Sequence, residues 1–559
     1  MVPTIAEAHA VLTAPGSMFE MEEADVFGAR LRVWKNAPPS LRALLEMSRA
    51  RGDTPFIVYE DEVLTFEQHY RAAAQLATVL AQQYGVAPGD RVAIVMRNFP
   101  EWSIAFWAAA AAGAIVVPLN AWWSAAELGY GLRDSGATVA FVDAERHERL
   151  AADLPGLDLA AVVARGTGAE PDAERWEDVL GEAPASAELP DVTLAPEDPA
   201  TIFYTSGTTG RPKGALGTHR NICGNLLSLA FASARSQLRA GTPSEVSTGQ
   251  NVYLLSVPFF HATGCHSVLV ANLASGGKLV LMHKWDAERA LELIERERVT
   301  MFGGVPAMVW QVLQSPSFAT RDLSSVTGIG YGGAPAAPEL VRRIEELFPG
   351  RTPSNGYGLT ETSSVTTLNS GVDYQRKPDS VGVPVPVVDV RVVGAGGQDV
   401  PVGEVGELWI RGPNVVKGYW GMPEATEEAF GGGWFRSGDL ARLDDEGFVY
   451  IVDRAKDVVI RGGENVYCAE VEGTLFEHPD VADAAVFGVP HPVLGEEVGA
   501  VVVLRPGAAA TVEDLRAHVA ERMAGFKVPA HVFVSTDALP RNPAGKVLKR
   551  ELRDEFVRS

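Results

Sequence analysis

Between Phe203 and Gly214 the chain reads FYTSGTTGRPKG, and few stretches restrict a fold so tightly. Ala200, Thr201, Ile202 and Phe203 form an apolar lead that reads as a strand. Serine, threonine and glycine then fill nearly every position until Arg211 and Lys213 close the run. Glycines let backbone N–H groups converge on an anion, hydroxyls at Thr205, Ser206, Thr208 and Thr209 add neutral donors, and Lys213 adds charge. Such a loop needs a rigid strand behind it and suits a polyphosphate. It is not a Walker loop, because the glycine spacing differs and no serine or threonine follows the lysine to hold a metal. Composition alone would describe a flexible loop; the order of the residues carries the functional reading.

At 559 residues the chain is too long for one core, so two or more domains are expected. A net charge of −23 speaks against nucleic acid as a partner while leaving room for a locally basic nucleotide site. Cys223, Cys265 and Cys468 are far apart and odd in number, with no zinc spacing. They suit reduced thiols in a cytoplasmic protein. No signal peptide is visible, and the apolar run from Ile104 to Leu119 is shorter than the roughly 20 residues of a spanning helix. It reads as a buried helix entering a buried strand, which leaves only contact at a membrane surface to consider.

Residues 1–39 are poorly patterned. From Ser40 a helix leads into a hairpin around Glu60 and Glu62, then helix 66–84 and the strand RVAIVM. A helix from Trp102 to Ala112, strand AIVVPLN, helix 124–135 and strand ATVAFVD follow. Continuous apolar strands alternating with helices predict an α/β layer around a largely parallel sheet. Residues 150–195, rich in Ala, Pro, Asp and Glu, read as a surface excursion. After the glycine-rich loop the alternation resumes, with helices at 286–298, 306–314 and 337–348. From about Val381 short Val-rich runs broken by Gly and Pro predict small antiparallel strands. Beyond Arg454 the pattern starts afresh, and about 100 residues suffice for a separate domain. The boundary is expected at 453–456.

The loop at 203–214 resembles the phosphate-binding signature of the adenylate-forming superfamily, which includes acyl-CoA synthetases, peptide-synthetase adenylation domains and firefly luciferase. Further motifs resemble that family in the same order: GYGGAP (330–335), NGYGLTE (355–361), WFRSGDL (434–440), DRAKDVVIRGG (453–463) and LPRNPAGK (539–546). The resemblance implies an α/β fold. A large N-terminal domain, 1–455, has two α/β subdomains and a β-rich, distorted-barrel subdomain; a small mobile α+β domain, 456–559, follows it. It implies that Ser206, Gly207, Thr208, Thr209 and Lys213 grip the phosphates of ATP, with Thr205 at the head of the loop. Gly333, Ala334 and Pro335 line one wall. Asn355, Gly356, Tyr357 and Gly358 flank adenine, and Thr360 bonds the α-phosphate. Glu361, with Thr205, belongs to Mg2+. Asp439 and Arg454 take the ribose, Lys456 is the hinge, and Gly462 and Gly463 let the arm of coenzyme A pass. Lys546 neutralises charge between the attacking carboxylate and the α-phosphate, so the catalytic set is Lys546, Thr205, Glu361 and His261, the last as a gate in PFFHATG.

The activity so implied is a carboxylic acid–CoA ligase working through an acyl-adenylate, with a medium- or long-chain fatty or related hydrophobic acid as substrate. The alternatives are a fatty acyl-AMP ligase serving a carrier protein and an aryl acid–CoA ligase. Amino-acid activation is disfavoured because Ala262 stands where those domains carry an Asp for the substrate amine. Gly264, Gly303, Gly304 and Gly330 suit either a roomy acyl tunnel or tight turns, since glycines serve both. The family also implies a homodimer.

Overall fold

In the computed structural model, residues 2–166, 168, 172–205, 211–241, 249–333, 338–351, 353–462, 464–542 and 545–558 are described. The apolar run beginning at Ile104 is the end of the buried helix Pro100–Ala111 followed by the buried strand Ile115–Pro118. Phe99 precedes the helix and Pro100 starts it, where a missing N–H costs nothing. Trp102, Phe106 and Trp107 on this helix have no solvent exposure. They belong to one core that draws Phe56 and Ile57 from one sheet and Val92 and Ile94 from another. The helices Leu41–Ser48, Phe66–Gln82 and Pro100–Ala111 are thus held between two sheets. Among the described residues no helix is long and apolar enough to cross a membrane.

The first sheet has seven strands, in the order 213–218, 199–205, 115–118, 91–95, 139–143, 160–164 and 174–175. All neighbours are parallel except Lys213–Thr218, which runs back against Pro199–Thr205 with Thr205 opposite Lys213. The glycine-rich stretch follows Pro199–Thr205 in sequence and precedes Lys213–Thr218. The second sheet has nine strands, and its parallel centre brings 354–357, 328–332, 301–304, 252–255 and 278–281 side by side. Residues 389–454 form a four-stranded antiparallel sheet. A last sheet is built from strands between Val459 and Ser535, and its two cores draw only on residues from Val459 onward.

Three expectations are corrected. Residues 150–195 are more than a surface excursion: Ala160–Ala164 is a buried parallel strand, made inconspicuous by its alanines. Residues 1–39 are not patternless. They form helix Ile5–Leu12 and the hairpin Met21–Val26/Ala29–Trp34, anchored by Phe19 and Trp34 against Phe231 and by Trp34 Nε1 donating to Ser228 Oγ at 3.0 Å. The anchor lies on helix His219–Ala240. The glycines do not open a tunnel. A side chain at Gly303 would run into the Gly330 carbonyl, and one at Gly264 into the Pro258 carbonyl. At Gly304 it would press on Ser256 and Met308. These residues let backbones approach closely. Gly330 alone of the four has looser surroundings, with Ser354 Oγ 3.2 Å away.

Candidate active site

The C-terminal ends of both large sheets, the antiparallel sheet and the last lobe meet at one cleft, and the expected residues gather there from distant parts of the chain. Asp439, in strand Phe435–Leu443, is 3% exposed. Its Oδ2 accepts from the Tyr357 hydroxyl at 2.7 Å and its Oδ1 faces Arg454 Nε at 2.9 Å. Arg454 lies opposite Asp439 in the adjoining strand, so sheet register makes this pair. A carboxylate offers about four acceptor positions, so two remain for another hydroxyl-bearing group.

Glu361 sits in the turn Thr360–Thr362, buried, with Oε1 accepting from the Tyr419 hydroxyl at 2.9 Å. Burial pushes its carboxyl up, while the Tyr419 hydrogen bond and Arg454 pull it down. Behind it Ser363 and Ser364 adopt φ of 53° and 102°, a costly conformation for non-glycine residues, with Asn225 donating to the Ser363 carbonyl. Gly358 lies so close to the Ser364 carbonyl that no side chain fits. The turn is therefore tightly determined, and its carboxylate keeps acceptor positions free for a divalent cation, which prefers such oxygen ligands.

Lys546 comes from the last lobe. It ends a tight turn in which its N–H donates to Asn542 Oδ1 at 2.9 Å and Arg541 donates to the Gly545 carbonyl at 2.7 Å. Gly545, at φ 79°, lies against Val305 of the large lobe. Lys546 is exposed, with protein groups close around its ammonium. This crowding, then the nearby Arg454, pulls its ammonium down to about 8, while Asp439 and Glu361 pull the other way. His261 is held neutral, pushed down to about 4 by burial and then by Lys546. Its Nε2 is buried with no hydrogen-bond partner among the described residues. Lys456 is exposed in the turn after Arg454, and partial desolvation by its neighbours lowers its ammonium. Just before it, Asp453 accepts from the N–H groups of Arg454 at 2.8 Å and Cys468 at 2.5 Å, joining the two lobes.

Other expected residues are placed less centrally. Thr205 ends its strand, its hydroxyl 3.4 Å from the Lys213 carbonyl. Asn355 is buried, and Asn355, Gly356 and Tyr357 form the strand that leads to Gly358 and Thr360. Gly333 is exposed at φ 74°. Gly462 is not brought to this cluster; its N–H donates to the Leu494 carbonyl at 2.8 Å within the last lobe. Ser206, Gly207, Thr208, Thr209, Ala334, Pro335 and Gly463 lie outside the described residues. Sequence reasoning missed Tyr419; the glycine preceding it in KGYW was the available signal.

A cavity of about 220 Å3 lies beside the gate segment, lined by Pro258 and Phe260, by Trp122, Trp285, Val305 and Met308, and by Arg541, Asn542 and Gly545 of the last lobe. Arg97 stacks on Trp122 at 4.3 Å and keeps a buried Nε without a hydrogen-bond partner among the described residues.

A buried carboxylate paired with an arginine, a buried glutamate and a lysine from the last lobe are groups that suit a nucleotide-dependent ligase. The AMP-binding enzyme family model matches residues 45–420, and the AMP-binding enzyme C-terminal domain matches 470–546. The chain belongs to this family, within the adenylate-forming superfamily of acyl-CoA synthetases. It is 40% identical to a feruloyl-CoA synthase of Amycolatopsis sp, over 88% of this chain and 94% of that one. It is 35% identical to the long-chain-fatty-acid–CoA ligase FadD13 of Mycobacterium tuberculosis, over 95% and 98%. ATP-bound MatB from Rhodopseudomonas palustris superposes with a TM-score of 0.81 at 31% identity, covering 93% of this chain and 99% of that one.

Proposed function

We propose that this cleft joins a hydrophobic carboxylic acid to coenzyme A in two steps, with ATP cleaved to AMP and pyrophosphate. The observation that carries the reading is the convergence of Lys546, from one lobe, on Asp439, Arg454 and Glu361 of the other. Residues 1–455 act as the adenylating lobe and 456–559 as the lobe that turns about Lys456.

In the first step Asp439 and Arg454 hold the ribose, Lys213 and the loop at 206–210 hold the phosphates, and Thr360 faces the α-phosphate. The acid's carboxylate oxygen attacks the α-phosphorus and pyrophosphate departs. Both reactants are anionic, so alignment and positive charge supply the catalysis. Lys546 as an ammonium about 4 Å from developing charge is worth on the order of 4 kcal/mol at an effective dielectric near 20. Magnesium held by Glu361, with Thr205 beside it, would draw charge from the phosphates as they separate. Half-buried, neutral His261 adds no charge against the acid and lies within electrostatic reach of Lys546, as suits a gate.

The second step needs a thiolate to reach the acyl carbon. The cavity beside Phe260 has apolar walls with Arg97, Lys284 and Arg541 around it. That suits an apolar arm carrying phosphates. In the present arrangement Arg541, Asn542 and Gly545 cover one side, so turning of the small lobe would open it and bring the segment of Gly462 and Gly463 across. Ala262 is buried among apolar groups, which leaves no carboxylate for a substrate amine.

An aryl acid is the second reading, favoured by the 40% identity to a feruloyl-CoA synthase and by the close-packed glycines, which remove one argument for a long tunnel. Pyrophosphate release and CoA consumption measured over fatty and hydroxycinnamic acids decide between them. A fatty-acid enzyme gives its highest kcat/KM with an aliphatic acid and an aryl enzyme with a cinnamic one. Pyrophosphate release without CoA consumption for every acid would reject CoA as acceptor and favour a carrier protein.

A further inference from the structure

Residues 416–420, VKGYW, form a strap between the two halves of the triphosphate site. Val416 N–H donates to the Glu361 carbonyl at 2.9 Å, Leu216 N–H to the Gly418 carbonyl at 2.9 Å, and Trp420 N–H to the Gly214 carbonyl at 2.7 Å. One edge of the strap therefore rests on the turn that carries Glu361 and the other on the strand that begins with Lys213. Gly418 has φ 145°, and a side chain there would strike Thr426, whose hydroxyl accepts the Tyr419 N–H at 2.9 Å. That bend aims Tyr419 inward. Its hydroxyl donates to Glu361 Oε1 at 2.9 Å, and Lys213 Nζ lies 5.0 Å from the centre of its ring. Phe430, edge-on at 5.4 Å, limits its rotation.

We propose that Tyr419 is a positioning residue that sets Glu361 and Lys213 at one fixed spacing, so that the cation and the phosphate-loop lysine close on the same triphosphate. The inference rests on the reading of Glu361 as the magnesium residue. A carboxylate free to rotate presents either oxygen; the Tyr419 hydroxyl engages Oε1 and limits that rotation. The ring face attracts the Lys213 ammonium and keeps it from swinging into solvent. Tyr419 touches neither reacting atom, so its work is done before chemistry begins.

Calorimetric binding of α,β-methylene-ATP to the full chain, in excess Mg2+ and in EDTA, separates these contributions. In Tyr419→Phe the ring stays and the hydroxyl goes. Affinity in Mg2+ is expected to fall about tenfold, as for loss of a hydrogen bond to a charged acceptor, with affinity in EDTA unchanged. In Tyr419→Leu both are expected to fall. Thermal midpoints within a few degrees of the parent certify the folded state of each variant, and Tyr419→Phe serves if Tyr419→Leu does not fold. Equal affinities of Tyr419→Phe and parent in Mg2+, or equal losses with and without Mg2+, overturn the proposal. Glu361→Gln runs alongside. If it leaves the Mg2+ dependence intact, the reading of Glu361 fails; if it removes that dependence while Tyr419→Phe does not weaken it, only the role of Tyr419 fails.

Discussion

At the scale of single residues the account turns on the charge of Lys546. Its ammonium is drawn down to about 8 by crowding and by Arg454, so the charged form is present below that pH and lost above it. Adenylate formation, followed as pyrophosphate release at subsaturating ATP, is therefore expected to decline on the alkaline side near pH 8. Lys546→Arg, whose guanidinium stays charged, should move that limb to higher pH. An unchanged limb would remove Lys546 from the step. Lys546→Ala should slow pyrophosphate release about a thousandfold, the equivalent of roughly 4 kcal/mol, and largely spare thioester formation from supplied acyl-adenylate. Equal loss of both half-reactions would mean a structural part for the lysine.

At the scale of elements, the glycines of the second sheet make a clear case. Gly303 lies against the Gly330 carbonyl in parallel neighbouring strands. Gly303→Ala is expected to lower unfolding stability by about 1–3 kcal/mol through overpacking, measured by denaturant titration. Were these glycines spacers in an acyl tunnel, the same change would leave stability alone and shorten the preferred acid. The sequence misled here because a glycine's composition does not say whether a ligand or a backbone fills the space. Other elements were legible for physical reasons. Ser40 and Ser124 cap the helices read from the sequence at those positions. The alternation from residue 91 to 143 became parallel strands because continuous Val, Ile and Ala runs suit burial on both faces. Ala160–Ala164 lacked that signal. In the cleft, Asp439, Arg454, Glu361 and Lys546 were readable as motifs. Tyr419 was not, since its partners come from residues 213 and 361 and only the folded chain joins them.

At the scale of the molecule, the two lobes meet where Asp453 accepts from the Cys468 N–H and where Gly545 lies against Val305. In the proposed mechanism this arrangement, with Lys546 near Asp439 and Glu361, is the one for adenylate formation, and in the next step the small lobe turns and carries Lys546 away. A Cβ built at Gly545 lies 3.5 Å from Val305 Cβ, within disulfide range. Val305→Cys with Gly545→Cys can therefore lock the arrangement reversibly, and Cys223, Cys265 and Cys468 are buried and out of reach of a surface oxidant. The deciding measurement is a single turnover of the oxidised double variant with ATP, acid and CoA. One pyrophosphate per site with no acyl-CoA, and acyl-CoA appearing only after dithiothreitol is added, is the predicted result. Acyl-CoA formed at the unlocked rate while the crosslink remains intact would contradict it.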